Sequence, residues 1–298
     1  MEGAVFPGWP PAFQEALARL AVAARQPARR HDAGAVRSRI RGRALEFAEH
    51  RPYSPGDDPR LVDWRAYSRL DRLYLKQFDE ERSRTLTLLV DTSASLDWGE
   101  GAAHKGWYAR QLAAALAWIS LCRHEPVRAF LLSDGGAVPL PPCAGRAGAA
   151  ALFRALGAVA ERGGTGLPAA VRAALAGPVG AGRGPTVLIG DLLDPDWPAA
   201  LAALAATGEG AVLQTLAPEE WEPLLGDEVE LEDVETGEWR PSRLDPAALA
   251  AYRARFDTFL AEVREHCRRL GLVHLALDTG TPLREAVLRL LPEAGVLQ

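Results

Sequence analysis

The sequence predicts an α/β protein built on a mostly parallel sheet with helices on both faces. Two observations favour this class. From residue 85 onward, short apolar runs alternate with segments whose apolar residues repeat every three or four positions. The short apolar runs are typical of buried strands. The segments with a three- or four-residue repeat are typical of amphipathic helices. Their regular alternation favours a Rossmann-type sheet.

The predicted strands are short and mainly apolar. They are residues 85–90, 127–132, 137–140, 186–190, 211–216 and 272–277. The predicted helices lie between and after these strands. They cover residues 104–122, 147–161, 167–176, 198–208, 245–271 and 282–291. Asp245 and Pro246 are typical N-cap and N1 residues, and Gly271 is a typical helix terminator.

The first 84 residues have a different texture. Residues 11–26 form a predicted amphipathic helix, and a linker with six arginines occupies 28–43. Residues 44–84 are dense in charge and aromatic side chains, and prolines divide them into turns and short strands, of which 73–78 is the clearest. We therefore predict an N-terminal helix and basic linker (1–43), a β-rich module (44–84) and the α/β domain (85–298).

Charge divides the chain at the same place. Residues 1–84 carry 16 Lys and Arg against 12 Asp and Glu, whereas 85–298 carry 18 against 27. Ten acids and no base lie in 217–238, which favours an acidic hairpin insertion at 217–245 with its turn at 235–237. The run Arg29–Arg43 could contact phosphates, but it has no interleaved aromatic residues and no accompanying nucleic-acid motif. Nucleic-acid binding is therefore the less favoured interpretation.

Composition excludes several classes. With 48% hydrophobic and 24% charged residues, the chain is typical of a globular protein rather than a disordered one. Its three Cys are far apart and form no C-x-x-C, which argues against a zinc knuckle or a disulfide framework. No apolar run is long enough to cross a bilayer and no signal peptide is indicated, so we expect a cytoplasmic protein.

Polar residues follow the strands where a doubly wound sheet binds its ligands. Asp91, Ser93 and Ser95 come directly after the first strand of the domain, and Asp191 follows the strand 186–190. Thr165 precedes the helix at 167. Carboxylate and hydroxyl oxygens suit a hard divalent cation, Mg²⁺ or Mn²⁺, better than zinc. The alternative is that the two aspartates only cap neighbouring helices and loops.

These five residues resemble the metal-ion-dependent adhesion site of the von Willebrand factor A family. The family pattern is D-x-S-x-S, then Thr, then Asp, on a Rossmann-like sheet. Asp91, Ser93 and Ser95 match its first part, Thr165 in GGTGL its second, and Asp191 in VLIGD its third. The resemblance implies a metal site in which one coordination position is left for an acidic group from a partner.

A longer stretch, residues 46–95, resembles the signature of domain-of-unknown-function family 58 (DUF58). Its core is RPYSPGDDPRLVDW at 51–64, and the resemblance extends over roughly 36–292. This bacterial family joins an N-terminal module to a von Willebrand A-like domain. Two positions depart from the family pattern: Arg43 stands where a second glycine is common, and Leu96 where Met often follows the serines.

Members of the family are often encoded beside MoxR-type AAA+ ATPases and are thought to act with them in maturing, remodelling or metallating other proteins. The resemblance thus implies a non-enzymatic adaptor whose partners are such an ATPase and its client. The chain contains no P-loop, so any ATPase activity would belong to the partner.

The module's polar segment either binds the partner or is structural, with Asp58 and Pro59 as the N-cap and N1 residues of a short helix. Its residues are Gly56, Asp57, Asp58, Arg60, Asp63 and Trp64.

The alternative functions are a Mg²⁺-dependent phosphohydrolase with Asp91 as nucleophile and nucleic-acid binding through Arg29–Arg43. Haloacid-dehalogenase-like enzymes have a second Asp two residues after the nucleophile. This chain has Ser93 at that position, which argues against the phosphohydrolase.

Overall fold

The computed structural model describes residues 8–23, 45–52, 67, 74–80, 84–164, 166–176, 184–223, 226–232 and 239–298. The chain divides into two compact units, one formed by residues 1–29 and 84–298 and the other by residues 30–83. In the smaller unit, β1 (Leu45–Pro52) pairs antiparallel with β2 (Tyr74–Glu80), which confirms the strand predicted at 73–78. The predicted boundaries of the three segments remain predictions.

The larger unit is built on one six-stranded sheet and a separate two-stranded hairpin. In chain order its strands are β3 (Leu86–Asp91), β4 (Val127–Ser133), β5 (Gly136–Pro139), β6 (Thr186–Gly190), β7 (Gly210–Leu216), β8 (Gly226–Glu232), β9 (Trp239–Leu244) and β10 (Val273–Asp278). The strand order is β10-β7-β6-β3-β4-β5. All neighbours are parallel except β4 and β5.

This order confirms the predicted fold class, a von Willebrand factor A-like α/β fold with a mostly parallel sheet. Numbered within the sheet, the strands run 3-2-1-4-5-6, the order of doubly wound folds. The winding direction reverses between β3 and β6, because the chain builds the sheet outward from β3 in one direction and then returns to β6. The carboxyl ends of these two strands therefore flank the crevice where such folds bind ligands.

Helices cover both faces of the sheet. They are α1 (Pro11–Leu17), α2 (Lys105–Cys122), α3 (Gly145–Gly157), α4 (Leu167–Leu175), α5 (Trp197–Ala205), α6 (Pro218–Trp221), α7 (Pro246–Leu270), α8 (Leu283–Glu285) and α9 (Leu291–Glu293). Helix α2 lies in the core of one face, and α4, α5 and α7 cover the other. The predicted ends of α7 are confirmed: Asp245 accepts a hydrogen bond from the Ala248 N–H (2.8 Å), and Gly271 adopts φ 74°.

The helix predicted at 11–26 is too long. Helix α1 ends at Leu17, and Val22 instead forms an antiparallel bridge with Leu297 near the other end of the chain. Two reciprocal hydrogen bonds join the backbones of Ala21 and Gln298, each 2.9 Å long. Tertiary pairing thus overrides the helical pattern after residue 17. The helix predicted at 282–291 is interrupted as well, by a π-helical segment at Ala286–Leu290.

The acidic region contains the predicted hairpin. Strands β8 and β9 pair antiparallel, and the segment 233–238 that joins them lies outside the described residues. No helix in the described part of the chain is long and apolar enough to cross a membrane.

Candidate metal centre

Asp91 and Asp191 lie at the carboxyl ends of adjacent parallel strands. Asp91 is the last residue of β3, and Asp191 directly follows β6. Val90 pairs with Ile189 in the ladder, so the next pair of positions brings Asp91 beside Gly190. The two aspartates are only 2% and 1% exposed. The sheet therefore places two carboxylates in the crevice at the switch point, where the sequence predicted them.

The side chain of each aspartate closes a tight turn by accepting a hydrogen bond from the backbone N–H two residues further along the chain. Asp91 Oδ1 accepts a hydrogen bond from the Ser93 N–H (3.0 Å), and Asp191 Oδ1 accepts one from the Leu193 N–H (3.1 Å). The first turn also brings the Oγ atoms of Ser93 and Ser95 to 3.0 Å from each other. These turns use one oxygen of each carboxylate, as the capping alternative requires. They do not explain why two carboxylates are buried side by side.

Gly190 makes room for Asp91. A Cβ atom at this position would lie 2.7 Å from Cβ of Asp91 and 3.0 Å from its Oδ2. Real Cβ atoms do not approach this closely, so any side chain here would displace the aspartate.

Thr165, the fifth predicted ligand, lies outside the described residues. The residues around it are tied to the loops that follow three strands. The Gly163 carbonyl accepts from the Ala94 N–H (2.9 Å), and the Gly164 N–H donates to Asp134 Oδ1 (2.9 Å). On the other side, the Leu167 N–H donates to Asp194 Oδ2 (2.8 Å).

A lysine that the sequence analysis did not single out enters the site. Lys105 Nζ donates to Asp191 Oδ2 (2.8 Å) and to Glu220 Oε1 (3.0 Å), and the residue is 1% exposed. Burial alone would lower the pKa of this ammonium, but Asp191 and Glu220 outweigh burial and raise it above its usual value. Lys105 is therefore charged at neutral pH. We call Asp91, Lys105, Asp191 and Glu220 the Lys105 cluster.

The backbone of Asp191 is held by a short relay. Its carbonyl accepts from Gln214 Nε2 (2.9 Å), and Gln214 Oε1 lies 3.0 Å from His274 Nε2. Burial and the nearby positive charge of Arg264 lower the pKa of His274 to about 4. The ring is thus neutral and donates to Gln214, which fixes the orientation of the amide that supports Asp191.

The Lys105 cluster carries an excess of negative charge. When fully ionised it has three carboxylates and one ammonium, a net charge of −2. Burial, followed by the negative charge of Asp191, raises the pKa of Asp91 to about 7, although Ser93 and Lys105 oppose this. The cluster therefore lacks positive charge, and the atoms it offers to an ion are carboxylate and hydroxyl oxygens. These residues fit a divalent cation such as Mg²⁺ or Mn²⁺.

A second group of possible ligands lies nearby, but its hydrogen bonds argue against a metal. One atom each of Asp97, His104 and Glu161 lie within 4.8 Å of one another. His104 Nδ1 accepts the Trp107 N–H (3.2 Å) at the start of α2, so the ring proton is on Nε2. This Nε2–H faces Asp97 Oδ1 at 3.0 Å. A metal-ligating His needs one ring nitrogen free for the ion while the other donates its N–H, and here the Trp107 N–H already occupies that nitrogen.

Glu161 in this group already has a cation. Arg110 NH2 lies 2.9 Å from Glu161 Oε1, an ion pair without the angles of a hydrogen bond, and both side chains are buried. The same guanidinium donates to the carbonyls of Gly106 (3.0 Å) and Val159 (2.8 Å). We call Asp97, His104, Arg110 and Glu161 the Arg110 cluster. It already holds its counter-charge.

The other residues singled out by the sequence lie outside the described part of the chain. They are Gly56, Asp57, Asp58, Arg60, Asp63 and Trp64, together with the basic run Arg29–Arg43.

The strand order and the paired aspartates at the switch point define a doubly wound α/β protein with a von Willebrand factor A-like fold. The chain belongs to the DUF58 family, "Protein of unknown function DUF58", whose sequence profile matches residues 49–266. Among its relatives are uncharacterized proteins of Mycobacterium bovis and Mycobacterium tuberculosis. Each is 31% identical over 248 residues, which cover 80% of this chain and 76% of the relative.

Two solved structures are similar at low identity. The conserved hypothetical protein BatB from Bacteroides thetaiotaomicron is 15% identical, with a TM-score of 0.42, over 71% of this chain and 98% of that one. A von Willebrand factor type A protein from Catenulispora acidiphila is 13% identical, with a TM-score of 0.35, over 74% of this chain and 44% of that one. The fold assignment rests on the strand order, not on these alignments.

Proposed function

We propose that this protein is a non-enzymatic, metal-dependent adaptor that binds protein partners at the switch point of its sheet. One observation carries the proposal: Asp91 and Asp191 are buried side by side with the serine hydroxyls of a tight turn, and the cluster around them has a net charge of −2 when ionised. Von Willebrand factor A-like folds are commonly protein-interaction modules.

The roles of the residues follow from their positions. Asp91, Ser93, Ser95 and Asp191 would hold Mg²⁺ or Mn²⁺, and Thr165 is the fifth ligand that the resemblance implies. A bound divalent ion supplies a Lewis-acidic position for a carboxylate of the partner. The Asx-type turns at Asp91 and Asp191 set the carboxylates in place before binding, and Gln214 fixes the backbone at Asp191. The partner in this proposal is a MoxR-type AAA+ ATPase with its client, which rests on the family resemblance alone.

Thermal unfolding with and without Mn²⁺ or Mg²⁺ tests the cation site. A ligand at a hundredfold excess over its dissociation constant stabilises the native state by about 2.7 kcal/mol, so the wild-type melting temperature should rise. Asp91→Asn should lose this rise. Asp245→Asn is the matched control, because it alters an exposed aspartate at the start of α7 and should keep the rise.

Affinity purification from the native host, comparing wild type with Asp91→Asn, tests the partner. Loss of the AAA+ ATPase from the Asp91→Asn sample alone is the expected result. No metal-dependent stabilisation of the wild type at millimolar ion would count against the proposal. So would metal-dependent phosphatase turnover that Asp91→Asn abolishes.

A further inference from the structure

Lys105 occupies a position that the local chemistry disfavours. It is the first residue of α2, where the helix dipole repels positive charge, and it is 1% exposed, where a charge is poorly solvated. A residue whose helix position and burial are both unfavourable for its charge often marks a functional site. The carboxylates of Asp191 and Glu220 compensate for this unfavourable position of the ammonium.

The residue type is informative as well. Of the 34 Lys and Arg residues in the chain only two are Lys, and Lys105 is one of them. The buried cation of the neighbouring Arg110 cluster is an arginine, whose planar group is fixed to several acceptors at once. A lysine instead carries a compact charge on a flexible stem that can change partner. Of the two buried cations in the described part of the chain, Lys105 and Arg110, only Lys105 has this property.

We propose that Lys105 sets the affinity of the cation site as an internal competitor: its ammonium holds Asp191 until a divalent ion takes the carboxylate, and then pairs with Glu220 alone. The inference rests on the proposed function, because it concerns the same site. Asp191 Oδ1 already accepts from the Leu193 N–H, so Oδ2, the oxygen that Lys105 holds, is the one for which a divalent ion would compete. Two positive charges at one carboxylate also repel each other.

Glu220 gives the displaced ammonium a place to go. Its Oε1 already accepts from Lys105 at 3.0 Å, and its Oε2 accepts from the Ala217 N–H at 2.6 Å. Its carbonyl accepts from the Tyr252 hydroxyl at 2.8 Å, which ties α6 to α7. A change of partner at Lys105 therefore acts on α6.

Helix α6 lines a surface cavity of about 630 Å³, together with Asp278 and Leu290. The described lining residues include the carboxylates of Glu219, Glu222 and Asp278 and no base. Lys105 thus links the buried cation site to a cavity at the surface.

Isothermal titration with Mn²⁺ of the full chain tests the competition. Lys105→Met removes the charge and keeps a similar volume, so Mn²⁺ should bind at least about tenfold more tightly than to wild type, because a neighbouring positive charge is lost. Arg84→Met is the matched control. It removes one positive charge, paired with Glu209, from the amino-terminal end of β3, and should leave the affinity unchanged.

The outcomes separate this inference from the proposed function. Tighter binding to Lys105→Met, or binding to this variant when the wild type shows none, supports the competition. Equal or weaker binding to Lys105→Met overturns it and leaves the proposed function standing if the wild type binds. No binding to either protein overturns both.

If Lys105→Met folds neither in the presence nor in the absence of Mn²⁺, Glu220→Gln tests whether Lys105 competes with the ion. The ammonium then loses its second partner and stays on Asp191, so Mn²⁺ should bind several-fold more weakly; unchanged or tighter binding overturns the inference. Amide hydrogen exchange reports the link to α6. Mn²⁺ should change the exchange of residues 217–222 in wild type but not in Lys105→Met, and an equal change in both would contradict the link.

Discussion

Lys105 and Arg110 lie on the same helix, α2, but the clusters around them differ in the balance of buried charge. In the Arg110 cluster a buried guanidinium meets one buried carboxylate and several carbonyls, and the other carboxylate, on Asp97, is exposed. In the Lys105 cluster one ammonium meets two carboxylates, and a third is buried beside them. The comparison shows that the balance of buried charge, rather than the number of possible ligands, separates a structural ion pair from a candidate cation site.

The largest expected effect on stability comes from removing the buried cation of the Arg110 cluster. Arg110→Met leaves Glu161 buried without its partner, which should cost about 3–5 kcal/mol of unfolding free energy. Mn²⁺ should not restore this loss, since both ring nitrogens of His104 remain hydrogen-bonded, one to the Trp107 N–H and one to Asp97. Urea unfolding with and without Mn²⁺ measures it. Rescue of Arg110→Met by the ion would mean that the two clusters are not different in kind.

A pH series should reveal the raised pKa of Asp91. Its folded pKa is about 7 against 3.8 for the unperturbed group, so between these values the folded state keeps a proton that the unfolded state has lost. Without metal, its contribution to stability should therefore fall as pH rises from about 4 to 7, by at most about 4 kcal/mol.

Asp91→Asn isolates this contribution. The variant should be more stable than the wild type at pH 8 in EDTA, and the difference should vanish near pH 4. Urea unfolding at both values measures it. Mn²⁺ should reverse the order at pH 8. A wild type that stays the more stable protein at pH 8 in EDTA would contradict the electrostatic account of the site.

The smallest effect concerns two glycines, Gly190 beside Asp91 of the Lys105 cluster and Gly106 beside Glu161 of the Arg110 cluster. At Gly190 a new Cβ would meet the Cβ of Asp91 at 2.7 Å, so the backbone must move, and Gly190→Ala should cost about 1–3 kcal/mol and weaken Mn²⁺ binding. At Gly106 a new Cβ would clash with the carboxyl end and Cγ of Glu161, the buried partner of Arg110, so this side chain must shift. Gly106→Ala should therefore also lower the melting temperature, but unlike Gly190→Ala it should leave Mn²⁺ binding intact.

Local rules were enough to predict the sheet and its aspartates. Buried strands and the residues that follow them are written in short stretches of sequence, so Asp91 and Asp191 could be assigned to one edge before any contact was known. Lys105 could not, because its partner Asp191 lies 86 residues away and a charged residue at a helix start is usually exposed. Glu220 is one of ten acids in its region and has no pattern of its own. The rarity of Lys in an Arg-rich chain was the one available signal.

The overlong prediction for α1 has the same origin. Its apolar residues continue at helical spacing, but the partner that stops the helix at Leu17 is the far end of the chain.

The bridge between Val22 and Leu297 has a consequence for biosynthesis. Phe13 and Leu17 belong to the same core cluster as Val296 and Leu297. At about 5–20 residues per second, the ribosome needs on the order of 15–60 s to reach Leu297 after Val22. During that interval the apolar side of the first helix can pack against α2 but lacks its neighbours at residues 296 and 297. The core cluster is complete only once residues 296 and 297 have left the ribosome, so stalling before that point leaves part of this apolar surface open to chaperones and proteases.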